Sequence, residues 1–235
     1  MRLIGAAAII ALATALQALA SLAIVPQAAA SAQGVSRPPL FGTVEVRNDN
    51  LTPFPKWTGM LERLFAKQGT IDGSCTATTF NKCHQERWQA LLDAERGKPL
   101  LEQLQAVNRF MNETRYIVDP INWGVRDYWA TPRQFFSKNG DCEDYAIAKY
   151  VTMKQLGVPA RDMRIVVLQD LNLSVAHAVL AVFVEGRVMI MDNQIKQVVN
   201  DRTIRHYRPI FSINEEAWWL HRPPGGQRKR AGKSG

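Results

Sequence analysis

Residues 139–144, Asn139-Gly140-Asp141-Cys142-Glu143-Asp144, hold a thiol among carboxylates at a turn. Gly140 gives the turn a permissive backbone. Asp141 stands where an N-cap belongs, with Asp144 three residues on as in a capping box. The helix that follows carries a wide apolar face (Ala146, Ile147, Tyr150, Val151, Met153) and stops at Gly157, just before Pro159. Cys142 then occupies the first helical position. There the helix dipole and free amide N–H groups favour a thiolate, and the same N–H groups can hold an oxyanion. The competing reading is a small buried cysteine beside an ordinary cap.

A nucleophilic thiol needs a base and something to orient it. His177 lies within the β-branched run Val175 to Val184, and Asp192 closes the run Val188 to Asp192. Glu185-Gly186 between them signals a hairpin. A two-residue turn sets Val184 opposite Arg187 and Val179 opposite Asp192. His177 then shares a face with Asp192, within diagonal reach. A three-residue turn would separate them. A strand histidine is more often a core residue, and a strand-end aspartate more often a turn residue.

The elements that must position these groups fall in a definite order. Helical periodicity covers Trp57 to Lys67, His84 to Arg96 and Leu100 to Asn112. Thr131 followed by Pro132 caps a short helix, Pro132 to Ser137. Strands are predicted at Met163 to Leu168, Val175 to Val184 and Val188 to Asp192, with Ile195 to Val199 as an extension. Helices first and an antiparallel sheet second is α+β. One domain, 57–222, follows an extended, proline-containing leader at 31–56, and a basic, disordered tail spans 223–235.

The first thirty residues read as a signal peptide: Arg2, an uncharged run to Val25, and a small-residue site at Ala28-Ala29-Ala30. An uncleaved anchor is the alternative. Either way the remainder is exported, which makes a periplasmic location the expectation. Three cysteines in an exported chain imply one disulfide and one free thiol. Cys75 and Cys83 flank a Thr-rich loop and form the natural pair, leaving Cys142 free. The net charge of +8 owes four charges to the tail (Arg228, Lys229, Arg230, Lys233), and no aromatics interleave a basic stripe, so nucleic acid is not expected.

The segment Asp127-Tyr128-Trp129-Ala130-Thr131-Pro132, the run Gly140 to Tyr150, His177-Ala178-Val179-Leu180 and Met191-Asp192-Asn193 together resemble the bacterial transglutaminase-like cysteine proteinase family, whose best-known members are periplasmic, calcium-dependent proteases of the LapG type. The resemblance spans about residues 80 to 200. It implies a papain-like fold and a cysteine endopeptidase with Cys142 as nucleophile, His177 as general base and acid, and Asp192 as orienter. It also implies calcium held by Asp141, Glu143 and Asp144, a surface adhesin as substrate, and an inner-membrane cyclic-di-GMP receptor as regulator. Charge gives calcium a second reason: carboxylates beside a thiol disfavour its thiolate, a bound cation offsets them, and oxygen-only ligands suit calcium better than zinc. Acyl transfer to an amine on the same triad, and a non-catalytic binding domain of the same fold, are the alternatives. The Cys75–Cys83 pair and the basic tail look like additions to the family pattern.

Overall fold

The computed structural model describes residues 37–66 and 69–225. The expected signal peptide and residues 226–235 of the tail lie outside these. Among the described residues no helix is long and apolar enough to cross a membrane.

Among the described residues six α-helices precede most of the sheet: α1 (Pro55–Phe65), α2 (Lys82–Glu95), α3 (Leu100–Asn112), the single turn α4 (Asp119–Asn122), α5 (Pro132–Lys138) and α6 (Cys142–Gln155). Seven antiparallel strands follow the order β1-β7-β6-β2-β3-β4-β5, with β1 Val44–Asn48, β2 Met163–Asp170, β3 Val175–Val184, β4 Arg187–Met191, β5 Val199–Asn200, β6 Tyr207–Ile213 and β7 Trp218–Arg222. The expected α+β class is what is seen. Its core explains the long apolar runs. Met163, Ile165, Leu180 and Val182 pack with α1, α3, α5 and α6, while Val166, Leu168, Val179 and Ala181 face Leu40, Ile204 and Tyr207 on the other side. Strands buried on both faces read as continuous hydrophobic runs rather than alternating ones.

Two boundaries differ from the sequence reading. The extended leader is in part a strand: β1 pairs with β7 in register Val44↔Arg222, and Arg164 bonds Glu45 at 2.7 Å. Both contacts join residues more than a hundred positions apart, which local pattern cannot show. Beyond β4 the sheet gains only Val199–Asn200, because Ile195 and Lys196 turn their carbonyls to the side-chain amide of Asn108 on α3.

The hairpin that decides the site forms as a two-residue turn. Glu185 and Gly186 both take positive φ (48° and 74°), and Val184 pairs with Arg187. Such a turn matches the twist of the strands it joins. Thr131 caps α5 in a full capping box with Gln134. The Cys75–Cys83 disulfide is formed. The His84 imidazole ties its segment together by contacting Cys75 O and Asn81 N.

Candidate active site

Helix α6 begins at Cys142, as the sequence predicts, but its cap does not form as expected. Asp141 sits at the N-cap without any side-chain cap hydrogen bond. Its Oδ2 accepts instead from the Asp119 N–H at 3.2 Å. The first turn of α6 is therefore uncapped at the nucleophile, which leaves backbone donors there for something else.

Gly140 has a different role from the one its type suggests. Its φ is not positive. A Cβ there would lie 2.6 Å from the Cβ of Asp144, closer than real atoms approach. The glycine lets the buried Asp144 side chain lie against the turn, while Asp144 Oδ1 accepts the Ala130 N–H at 2.7 Å.

The thiol itself is free. Cys142 Sγ donates to Glu143 Oε2 at 3.1 Å. Burial pushes its pKa well up, the Glu143 and Asp141 carboxylates push it further, and the Ala178 N–H, next to His177, offsets part of this. In this state burial first and the carboxylates second disfavour the thiolate.

His177 and Asp192 come together as the two-residue turn requires. His177 Nε2 lies 2.9 Å from Asp192 Oδ1, both residues buried. Asp192 also accepts from the Gln194 N–H (2.8 Å) and, at Oδ2, from the Tyr207 hydroxyl (2.6 Å). Burial works against ionisation of Asp192, yet hydrogen bonds and charge from His177 and Tyr207 win and hold its pKa below the usual value. An ionised Asp192 takes the proton on Nε2 and leaves Nδ1 as the basic nitrogen. Gln194 Nε2 lies 3.4 Å from that Nδ1. Tyr207 and Gln194 were not legible as site residues. Tyr207 arrives on β6 by tertiary pairing, and no local motif marks it.

The acidic cluster has one member the sequence did not suggest. Asp119, Asp141 and Glu143 bring carboxylate oxygens within 4.8 Å of one another. Asp144, expected among the ligands, lies outside these three; its Oδ1 accepts the Ala130 N–H, and its Oδ2 is buried without a partner. Asp119 comes from α4, twenty-two residues upstream, and its only local signal is the Asp-Pro that opens that turn. Burial pushes Asp119 up to about 6 and, with Glu143 adding to it, Asp141 up to about 7. Burial likewise raises Glu143. Asp119 Oδ1 and Asp141 Oδ1 are buried without a partner. Two orphaned acceptors in an all-oxygen cluster are the donor set a hard divalent cation takes.

Trp129, in the segment Asp127 to Pro132, is a core residue packed edge-on against Trp57. His221 bonds Thr43 and Ser212, and His206 packs on Tyr207.

A cysteine opening a helix beside a strand-borne His–Asp pair, on an α+β frame, places the protein in the papain-like class. Residues 74–221 match the bacterial transglutaminase-like cysteine proteinases, and the chain belongs to that family. It is similar to Legionella pneumophila LapG, at 36% identity over 58% of this chain and 77% of that one, TM-score 0.54. Calcium-bound Legionella pneumophila LapG is similar at 31% identity over 69% of this chain and 86% of that one, TM-score 0.55. The same protein after EGTA treatment aligns at 36% identity over 58% of this chain and 75% of that one, TM-score 0.54. No curated protein sequence matches the chain.

Proposed function

We propose that the protein is an exported, calcium-dependent cysteine endopeptidase acting through Cys142, His177 and Asp192. The observation that carries this is the buried His177–Asp192 pair at 2.9 Å, with Ala178, the next residue after His177, against the Cys142 thiol. His177 Nδ1 takes the thiol proton, and sulfur attacks the peptide carbonyl carbon. The oxyanion forms at the uncapped start of α6. The tetrahedral species collapses as the imidazolium returns its proton to the departing amine. A water then hydrolyses the thioester with His177 again as base.

Asp119, Asp141 and Glu143 would hold the calcium, with the orphaned Oδ2 of Asp144 as a fourth carboxylate oxygen available to it. The cation supplies positive charge that offsets carboxylates now disfavouring the thiolate, Glu143 foremost. The calcium-bound state of Legionella LapG supports this part of the reading. The family resemblance supports a large surface adhesin as substrate, a periplasmic location and control by an inner-membrane cyclic-di-GMP receptor.

The test is cleavage of a proteome-derived peptide mixture by chain lacking residues 1–30, in calcium or in excess chelator, with and without an added amine. Cleavage should require Cys142 and calcium, and products should carry free carboxylates even with amine present. Amine-capped products would favour acyl transfer. Lack of Cys142-dependent cleavage or thiol labelling in calcium would favour a binding domain.

A further inference from the structure

Thioester formation places negative charge on the substrate carbonyl oxygen, and one backbone N–H is a thin oxyanion hole. Such sites combine two or more donors. Around Cys142, the segment before α4 supplies a second. Tyr116 forms an isolated parallel bridge with Gly140, and the Ile117 N–H bonds Gly140 O at 2.9 Å. The Tyr116 ring stacks on Tyr145 of α6, with centroids 6.3 Å apart and planes 21° apart. This packing sets the phenol beside the Cys142 thiol and backbone N–H. The residue is 49% exposed, so the side chain lies at the surface rather than in the core. Asp141 makes no side-chain cap hydrogen bond at the start of α6, so the phenol oxygen is what faces the Cys142 amide in the free protein.

We propose that the Tyr116 hydroxyl is the second oxyanion donor, acting with the Cys142 backbone N–H; this rests on the thiol-hydrolase reading above. In the free protein the phenol oxygen lies beside the amide the oxyanion will need. When a carbonyl enters, the half-exposed side chain gives way about its stack on Tyr145 and turns its O–H toward the developing charge. No proton is transferred. Sulfur forms its bond to the carbonyl carbon, the π pair moves onto oxygen, and both donors hold it until the leaving group departs. Burial, with the thiol and the neighbouring carboxylates, keeps the phenol's pKa above its ordinary value, so the donor stays protonated.

Two reactions of one thiol separate this role from a structural one. Acylation by p-nitrophenyl acetate passes through an oxyanion, whereas alkylation by iodoacetamide is a displacement at carbon that does not. Both rates are measured in calcium on the chain lacking residues 1–30, for wild type, Tyr116→Phe and Cys142→Ala. Phenylalanine keeps the stack on Tyr145 and removes only the donor. The p-nitrophenol burst should slow by about tenfold or more in Tyr116→Phe, with alkylation within twofold of wild type. An equal fall in both rates would mark a structural role and overturn the proposal. A faster or unchanged burst would make Tyr116 a plug or a bystander and overturn it as well. A wild type with no Cys142-dependent burst would remove the thiol-hydrolase reading, and this inference with it.

Discussion

Replacing Asp192 by asparagine tests how the His–Asp pair works. Asp192 Oδ1 accepts from His177 Nε2 and the Gln194 N–H, and Oδ2 accepts from the Tyr207 hydroxyl. An asparagine can meet the same three groups in one orientation. Its Oδ1 takes both N–H groups, and its Nδ2 donates to a Tyr207 oxygen whose proton rotates away. The Gln194 N–H selects that orientation, so the histidine keeps its proton on Nε2 and Nδ1 stays free. Only the charge is lost. A hydrogen bond to a charged group contributes about 1.5–3 kcal/mol against about 1 for a neutral one, and the difference, about 0.5–2 kcal/mol, corresponds to about a 2–30-fold slower acylation. Asp192→Ala also removes the orientation and strands Nε2 and the Tyr207 hydroxyl, so it should cost on the order of 10³–10⁴-fold. Burst kinetics with p-nitrophenyl acetate in calcium, with thermal unfolding as a check on the fold, give both numbers. An asparagine variant as slow as the alanine variant would refute the claim that Gln194 and Tyr207 fix the tautomer.

Other substitutions probe what supports the site. Gly140→Ala sets a methyl against Asp144, and should lose about 2–4 kcal/mol of stability by overpacking and displacement of a buried carboxylate, read from chemical denaturation. Lys149 is fully buried with no hydrogen-bond partner for its ammonium, and burial lowers its pKa to about 7 from 10.5. The native state then binds fewer protons than the unfolded state between pH 7 and 10.5, so wild-type stability gains with pH across that window. Lys149→Met should be more stable by about 4–5 kcal/mol at pH 7, and the gap should close as pH approaches 10.5. Replacing Cys75 and Cys83 together by serine removes a closure eight residues apart, which the chain-entropy model puts at about 2.5 kcal/mol. That loss should appear in denaturant midpoints, with Cys142 alkylation unchanged.

The sequence alone determined the elements with strong local signals. Cys142 had to open a helix because a turn, a small acidic residue and good helix formers follow one another there. Thr131-Pro132 had to start another, and it does with a full capping box. Glu185-Gly186 allowed a two-residue turn, and the period-two geometry of strands then carried His177 to Asp192 without any knowledge of the rest of the sheet. Cysteine parity, with Cys75 and Cys83 flanking one short loop, singled out Cys142 as the free thiol.

Tertiary structure decided whatever depends on contacts between distant segments. Asp119 joins Asp141 and Glu143 because α4 docks on the start of α6, and a carboxylate in a loop gives no hint of where it docks. Asp144, placed among caps by its spacing and among ligands by the resemblance, makes no cap because Gly140 leaves room for its side chain and the Ala130 N–H donates to its Oδ1. Asp141 gives up the cap because the Asp119 N–H competes for its side chain. Residues 44–48 became a strand because β7 offered an unpaired edge. Tyr207 reaches Asp192, and Tyr116 reaches Cys142, across pairings that local periodicity does not encode. Local preference fixes the direction of a chain over a few residues. Which buried polar group finds which partner is settled only when the core closes and each one must be satisfied.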